Sequence, residues 1–379
     1  MQEEMELKQI GIGVIGWGFM GKTHTLALKT MPLYYPGIDF TPRLVSICSR
    51  NPQKAEAARL EAGFEKATGD YRDLLADPQV EAVSICTPND LHEEMAIAAL
   101  RAGKHVYLDK PMAHTLESAR RIGEAARLSS AKLQLVHNHR FMPATMRARQ
   151  MVEEGLLGEI LSFSLRFLHS GSIDENKPAG WKMRDGGGVV LDLGSHIIDL
   201  GIWLMGMPES VFCANRTIYD QRPLSDGSVA EDIAEDHSLA ILRLPGGAMG
   251  TLESSKIASG AGDELLLEIR GKKGSLRWSL TQPGILEYFD NTRPDVPLGG
   301  CRGWTRIECE SRYPAPGGIF LPPRSAIGWE RGHLHCYYSF LDCIAHDKQP
   351  SPSWEDGLRT QQVMDACIRS AKEGRWIQI

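Results

Sequence analysis

A glycine loop near the start of the chain constrains its fold more than any other feature. The apolar run Ile10–Ile15 leads into Gly16-Trp17-Gly18-Phe19-Met20-Gly21, and a helix start follows over Lys22–Thr30. A strand, G-x-G-x-x-G and a helix in this order are typical of a loop that binds the pyrophosphate of a dinucleotide. The alternative is a glycine-rich turn with only a structural role. The predicted cofactor-binding residues of this loop are Gly16, Gly18, Phe19, Met20 and Gly21.

Strand-like and helical segments alternate over the rest of the first third of the chain. Apolar runs lie at Leu44–Cys48, Val80–Cys86, His105–Leu108 and Leu133–His137, and helical patterns lie at Gln53–Ala62, Leu91–Ala102 and Ser118–Ser129. Strands that alternate with helices predict an open parallel sheet with right-handed crossovers. We therefore expect an α/β domain with a doubly wound, Rossmann-type sheet.

The pattern changes after about residue 140. A helix over Ala144–Glu154 is followed by β-rich runs at Ile160–His169, Val211–Ile218, His237–Leu244, Ala248–Ser254, Glu264–Arg270 and Ser275–Leu280. Neighbouring strands of this kind predict a mixed or antiparallel sheet in an α+β domain. Asp290–Pro323 is dense in Pro and Gly and predicts a surface excursion, and His333–His346 and Trp354–Glu373 predict two closing helices. The expected domains are residues 1–137 and 138–379.

Composition excludes several classes of partner. A formal net charge of -6 without a Lys/Arg block argues against nucleic acid. The acidic start of the chain lacks the basic and apolar regions of a signal peptide, and no apolar run is long enough to span a membrane. The eight cysteines form no C-x-x-C pair, which predicts reduced thiols and no metal site. We expect a cytoplasmic protein.

The end of the second predicted strand bears on the choice of cofactor. A carboxylate at this place commonly bonds the ribose 2′-hydroxyl of NAD. Here Ser49 and Arg50 follow the strand instead, and a hydroxyl next to a guanidinium can accept a 2′-phosphate. Alternatively, Arg50 stacks on the adenine or faces solvent. The sequence predicts NADP or NAD as cofactor and favours NADP slightly.

A lysine follows the predicted strand His105–Leu108, within Asp109-Lys110-Pro111. Ligands of doubly wound folds bind at the carboxyl ends of the strands. The ammonium of Lys110 could therefore hold a substrate hydroxyl and stabilise a developing alkoxide. The alternative is a lysine in a surface salt bridge.

Two ionisable residues lie four apart in the segment that begins at Gly186-Gly187-Gly188. If this segment is helical, Asp192 and His196 project from one face. A histidine with a pKa near neutrality suits the removal of an alcohol proton, and an aspartate can orient the imidazole or hold a neighbouring hydroxyl. Alternatively, His196 is a core histidine with satisfied hydrogen bonds.

At these motifs the sequence resembles the glucose-fructose oxidoreductase and inositol dehydrogenase family (Gfo/Idh/MocA) over nearly its whole length. Thr87-Pro88-Asn89 with His92 is similar to the family's T-P-N-x-x-H segment, Asp109-Lys110-Pro111 to its E-K-P motif, and Asp192-x-Gly194-x-His196 to its D-x-G-x-H helix. The resemblance implies that Lys110, Asp192 and His196 are catalytic. It implies cofactor contacts from Thr87, Pro88, Asn89, His92, Asp109, Lys110 and Asn138.

The resemblance also implies an activity and an architecture. We expect hydride transfer between nicotinamide and a secondary alcohol of a sugar, inositol or related polyol, by a Rossmann domain followed by an α+β domain with a large open sheet. Arg140, His169 and Trp181 are candidate contacts to the remaining substrate hydroxyls. Open alternatives are a glycosidase of the same family, without net redox change, and a cofactor-binding regulator without activity. A homodimer or homotetramer is expected.

Overall fold

The computed structural model describes residues 7–184 and 186–379. The chain divides into two compact units. Unit 1 runs to Phe141 and also contains Tyr313–Pro322 and Gly328–Leu358, whereas unit 2 consists of Met142–Arg312, Pro323–Ile327 and Arg359–Ile379. The chain therefore returns to unit 1 after most of unit 2.

The strands of unit 1 are β1 Lys8–Ile15, β2 Phe40–Cys48, β3 Lys66–Thr68, β4 Ala82–Ile85, β5 His105–Leu108 and β6 Leu133–Leu135. They pair in parallel in the order β3-β2-β1-β4-β5-β6. Strands β4 and β6 are buried at every position, which is expected of a parallel sheet with both faces covered. This sheet confirms the predicted doubly wound fold.

The strands of unit 2 are β7 Ile160–Leu168, β8 Ser210–Arg216, β9 Arg222–Pro223, β10 Val229–Ala230, β11 His237–Arg243, β12 Met249–Ser255, β13 Glu264–Gly271, β14 Gly274–Ser279, β15 Ile285–Asp290, β16 Trp304–Glu308 and β17 Ile377–Gln378. Within the described residues, nine form a sheet in the order β16-β15-β14-β13-β7-β12-β11-β8-β17. Burial alternates along β11, so one face is covered and the other is open. Strands β7 and β12 pair in parallel, so the sheet is mixed, as predicted.

The helices are α1 Phe19–Tyr34, α2 Pro52–Ala62, α3 Tyr71–Ala76, α4 His92–Arg101, α5 Leu116–Leu128, α6 Pro143–Glu153, α7 Ser195–Met205, α8 Trp329–Ala345 and α9 Trp354–Glu373. Helix α2 begins where Asn51 Oδ1 accepts from the Lys54 N–H at 2.9 Å, and it ends at Gly63 with a φ of 82°. Among the described residues, no helix combines the length and hydrophobicity that crossing a bilayer requires.

Two segments differ from the expectation. The predicted surface excursion Asp290–Pro323 is wrong in part, because it contains β16, which pairs with β15 at the sheet edge. Strand β16 was missed because four of its five residues are exposed, which leaves no buried apolar alternation to read. Strand β15 was also not predicted. Strands β13 and β14 are joined by a hairpin turn, since Arg270 pairs with Ser275.

Candidate functional site

The three glycines of the loop in unit 1 have different surroundings. Gly16 has a φ of 103°, and a Cβ there would lie 2.7 Å from the Cys86 carbonyl oxygen. A Cβ on Gly21 would lie 2.1 Å from the Gly16 carbonyl oxygen, whereas one on Gly18 would meet no described atom within 4 Å. Packing therefore requires glycine at the first and third positions. The second presents bare backbone to open space.

Helix α1 begins directly after this bare backbone. Its N-cap, Gly18, supplies no side-chain hydrogen bond, and its first turn contains no acidic residue. The N–H groups of a helix start and the helix dipole together favour an anion. Phe19 is 72% exposed and stacks on Trp329 with 5.7 Å between ring centroids, while Met20 is half-buried. The loop thus has the form that a pyrophosphate needs.

The polar side chains after β2 lie at the edge of the parallel sheet. The Ser49 N–H donates to the Thr68 carbonyl oxygen at 3.2 Å, which ties the end of β2 to β3. The Ser49 side chain is half-buried and Arg50 is exposed. These are the two side chains from which the sequence predicts a contact to the adenosine ribose.

His92 joins the segments that follow β4 and β5. Its ring nitrogens lie 3.0 Å from the Pro111 carbonyl oxygen and 3.1 Å from the Thr87 carbonyl oxygen. The ring is buried, and burial lowers the pKa of His92. The Lys110 N–H donates to Asp109 Oδ1 at 2.9 Å. His92 therefore holds Thr87-Pro88-Asn89 against the segment that contains Lys110.

Asn138 lies in the turn after β6, the strand next to β5. The residue is wholly buried, and within residues 7–184 and 186–379 neither its Oδ1 nor its Nδ2 has a hydrogen-bond partner. A buried amide without partners is costly, so this side chain fits a polar ligand such as the ribose of a dinucleotide. Arg140, in the same turn, is buried and lies 3.4 Å from Asp356 Oδ1, and its contact to substrate stays a prediction.

A group of buried imidazoles in unit 1 lies near Lys110. This imidazole cluster consists of His24, His139 and His333. Burial lowers the pKa of His24 to about 4, and burial together with the positive charge of Lys110 lowers the pKa of His139 to about 3 and that of His333 well below its usual value. His24 Nδ1 lies 2.8 Å from Ser84 Oγ. These rings are neutral at physiological pH, and the charge of Lys110 acts on two of them, His139 and His333.

In unit 2, Asp192 lies in a π-helical turn over Val190–Gly194, and His196 lies in the first turn of α7. The segment is therefore helical, but Asp192 lies in a π-helical turn and not in a regular α-helix. Asp192 Oδ1 lies 2.7 Å from Lys182 Nζ, and Oδ2 lies 3.2 Å from Lys256 Nζ. We name Asp192, Lys182 and Lys256 the lysine–aspartate cluster. The half-buried His196 ring lies 5.5 Å from the Phe167 ring.

The glycines before Asp192 make room for a carboxylate. Gly188 has a φ of 89°, and a Cβ there would lie 2.3 Å from Glu235 Oε1. The same oxygen accepts from the Val190 N–H at 3.1 Å, and burial raises the pKa of the Glu235 carboxyl. Glu235 thereby fixes the start of the π-helical turn that carries Asp192.

Two further predicted substrate contacts lie near this cluster in unit 2. His169 Nδ1 accepts from the Gly171 N–H at 3.0 Å, and burial together with the charge of Lys256 lowers the pKa of His169. Trp181 is 40% exposed, and Lys182 Nζ lies 5.6 Å from its ring centroid. An exposed aromatic face beside hydrogen-bonding groups can stack on a sugar ring.

Comparison with known proteins places the whole chain in one family. Residues 10–137 match the model of the NAD-binding Rossmann fold of the Gfo/Idh/MocA oxidoreductases, and residues 149–379 match the model of the C-terminal alpha/beta domain. The chain belongs to the Gfo/Idh/MocA oxidoreductase family. It is a nicotinamide-dependent oxidoreductase, and the predicted resemblance is confirmed.

Family members with similar sequences are named after sugars and inositols. Levoglucosan dehydrogenase of Pseudarthrobacter phenanthrenivorans is 30% identical over 98% of this chain and 99% of its own. Scyllo-inositol 2-dehydrogenase (NADP(+)) of Bacillus subtilis is also 30% identical, over 98% of this chain and 96% of its own. A solved levoglucosan dehydrogenase in complex with NADH and levoglucosan matches with a TM-score of 0.93 and 31% identity, over 98% of this chain and all of that one.

Some residues of the candidate site were not predicted from the family motifs. Lys182, Lys256 and Glu235 all contact the segment with Asp192, and His139 and His333 lie near Lys110. Lys182 adjoins the predicted contact Trp181, and His139 lies between the predicted contacts Asn138 and Arg140. Lys256, Glu235 and His333 are distant in sequence from the residues they approach, and their proximity depends on the tertiary fold.

Proposed function

We propose that the protein is a dehydrogenase that transfers a hydride between nicotinamide and a secondary alcohol carbon of a sugar, inositol or related polyol. The observation that carries the proposal is the position of Lys110. It follows β5 at the carboxyl edge of the Rossmann sheet, and the unpartnered amide of Asn138 follows the neighbouring strand. The levoglucosan and inositol dehydrogenases among the relatives support the substrate class.

The bare backbone at Gly18 and the uncapped start of α1 would hold the pyrophosphate of the cofactor. Thr87, Pro88, Asn89 and Asp109 would lie along the cofactor, and Asn138 would bond the nicotinamide ribose. His92 would keep Thr87 and Pro111 in place for this contact. When bound, the nicotinamide accepts or donates the hydride.

Lys110, Asp192 and His196 would act on the reacting hydroxyl. The Lys110 ammonium would donate a hydrogen bond to the hydroxyl oxygen and stabilise the negative charge that develops there. His196 would accept the hydroxyl proton at a ring nitrogen as the alcohol is oxidised and return it in the reverse direction. Asp192 would hold a neighbouring hydroxyl or orient His196. Arg140, His169 and Trp181 would contact the remaining hydroxyls.

The proposal includes a cofactor preference. Ser49 and the exposed Arg50 would receive a 2′-phosphate, which slightly favours NADP over NAD. One relative is named for NADP(+), whereas the solved levoglucosan dehydrogenase contains NADH. The relative kcat/KM for the two cofactors decides this point, and activity with NAD alone would contradict the role of Arg50.

The proposal also includes a homodimer or homotetramer in the cytoplasm. Apolar side chains on the open sheet face of unit 2 support an assembly: Leu239, Ile241 and Met249 are 46%, 36% and 40% exposed. Light scattering of the purified protein should give two or four times the mass of the chain. A monomer at micromolar concentration would contradict this part.

The central test is a panel of sugars, inositols and aryl glycosides with both cofactors. We expect the absorbance of reduced nicotinamide at about 340 nm to rise with a polyol, and not with the Lys110→Met variant. Cleavage of an aryl glycoside without this rise would instead show a glycosidase. If cofactor binds but no compound reacts, the regulator is favoured. Equal turnover by wild type and Lys110→Met would overturn the catalytic assignment.

A further inference from the structure

The two lysines of the lysine–aspartate cluster differ in their exposure. Lys182 Nζ lies 2.7 Å from Asp192 Oδ1, and its side chain is 47% exposed. Lys256 Nζ lies 3.2 Å from Asp192 Oδ2, and its side chain is 5% exposed. Asp192 itself is 13% exposed. One carboxylate therefore has a buried ammonium on one oxygen and a solvated ammonium on the other.

Lys256 is held at several points. Its Nζ also donates to the Lys182 carbonyl oxygen at 3.1 Å, and its backbone N–H donates to the Asp236 carbonyl oxygen at 2.8 Å. The Gly188 N–H donates to the same Lys182 carbonyl at 3.1 Å. If its charged partner moves away, a buried ammonium loses the interaction that offsets the cost of its desolvation. The ion pair between Lys256 and Asp192 is consequently a fixed one.

The Lys182 side chain is about half exposed, unlike that of Lys256. Ion pairs with a solvated ammonium contribute little free energy, because water replaces the partner when the pair opens. The Lys182 side chain can therefore leave Asp192 Oδ1 for solvent or for the exposed face of Trp181, whose centroid is 5.6 Å from Nζ. Oδ1 is the carboxylate oxygen that can exchange its partner.

We propose that Lys256 is a positioning residue that fixes Asp192, and that Lys182 is a displaceable partner that gives up Asp192 Oδ1 to a substrate hydroxyl. This inference rests on the proposed function, in which Asp192 holds a hydroxyl of the polyol. Binding then exchanges one ion pair for one hydrogen bond at Oδ1, while Lys256 keeps Oδ2 in place. The site thus keeps the Asp192 carboxylate paired when no polyol is bound.

The test compares Lys256→Met with Lys182→Met by steady-state kinetics on the best polyol of the panel. Each has a matched control. Lys132 is a buried lysine of unit 1 with a 7% exposed side chain, and it pairs with Asp347 Oδ1 at 2.9 Å. Lys272 is an exposed lysine of unit 2 that pairs with Glu159. Lys132→Met and Lys272→Met should leave kcat and KM at the wild-type values.

The two cluster variants should change kinetics in opposite directions. Lys256→Met should lower kcat/KM about 100-fold, mainly through kcat, because Asp192 loses its fixed position. Lys182→Met should lower KM about two- to fivefold, because no ammonium competes for Oδ1, with a smaller change in kcat. A loss of less than threefold in Lys256→Met, or a raised KM in Lys182→Met, would overturn the inference.

A double variant keeps the test valid if Lys256→Met folds poorly. If Lys256 acts through Asp192, adding Lys256→Met to Asp192→Asn should cost less than threefold further activity, and the two changes in unfolding free energy should be non-additive. Additive effects on unfolding would overturn the role of Lys256. If wild type turns over no polyol, the proposed function fails, whereas this unfolding cycle still decides whether Lys256 holds Asp192.

Discussion

The imidazole cluster of unit 1 and the lysine–aspartate cluster of unit 2 bury polar groups in two different ways. His24, His139 and His333 are buried as neutral rings, with pKa values far below their usual range. Lys256 and Asp192 are buried as a charged pair. A buried group must lose its charge or be compensated, and each of the two clusters uses one of these solutions. Protonation at low pH therefore destabilises the imidazole cluster, whereas loss of one charged partner destabilises the lysine–aspartate cluster.

The largest expected effect is a loss of proton transfer without a loss of cofactor binding. His196→Asn in unit 2 removes the proposed proton acceptor and should lower kcat by roughly 10²–10⁴-fold. The affinity for the dinucleotide should stay at the wild-type value, because the glycine loop lies in unit 1. Stopped-flow turnover and fluorescence titration with the reduced cofactor measure the two quantities. A comparable loss of cofactor affinity would break the assignment of separate roles.

The second prediction concerns acid stability. Burial lowers the pKa of His24 from 6.5 to about 4, so the unfolded chain takes up the proton first as the pH falls. This group stabilises the fold fully above pH 6.5, and that contribution is lost between pH 6.5 and about 4. His24→Asn should flatten the pH dependence of the unfolding free energy by up to about 1.4 kcal/mol per pH unit.

Urea unfolding between those pH values, followed in unit 1 by the fluorescence of Trp17 and Trp329, would measure this slope. Lys272→Met should keep the wild-type slope in this window, since it removes an exposed lysine and no buried imidazole. Parallel curves for wild type and His24→Asn would show that His24 has the same pKa in the folded and unfolded chain, which would contradict the prediction.

The third prediction compares two glycines of one loop. Gly21→Ala places a Cβ about 2.1 Å from a backbone oxygen and should destabilise unit 1 by about 1–3 kcal/mol. Gly18→Ala meets no described atom, so it should change stability by less than about 1 kcal/mol and weaken dinucleotide binding about tenfold. Thermal unfolding without cofactor and calorimetric titration with it separate the two effects. If Gly18→Ala binds the dinucleotide as tightly as wild type does, the pyrophosphate does not approach the backbone of Gly18 closely.

The smallest effect is expected at Arg50. Arg50→Ala should lower kcat/KM with NADP by about two- to fivefold and leave the value with NAD within twofold, because an exposed ion pair contributes little. Arg127→Ala is a control, since this exposed arginine pairs with Glu124 within α5. Equal losses with both cofactors would indicate that Arg50 stacks on the adenine.

The sequence predicted the parallel sheet and the motif residues because their signals are local. A buried strand such as β4 is a continuous apolar run, and the glycine loop contains all of its turn residues within six positions. The π-helical turn was not predictable, because it depends on Glu235 reaching the Val190 N–H from 45 positions away. Lys182 and Lys256 are likewise far apart in sequence.

The return of the chain to unit 1 has a consequence for synthesis and truncation. Leu334, Tyr337, Phe340 and Leu341 of α8 are buried in the same core as β1 and α1. A nascent chain that ends near residue 137 contains all six strands of the unit 1 sheet and still lacks the helix that covers this core. We therefore expect the isolated N-terminal segment to aggregate on expression, and nucleotide binding to emerge on the ribosome only after α8 has left the exit tunnel.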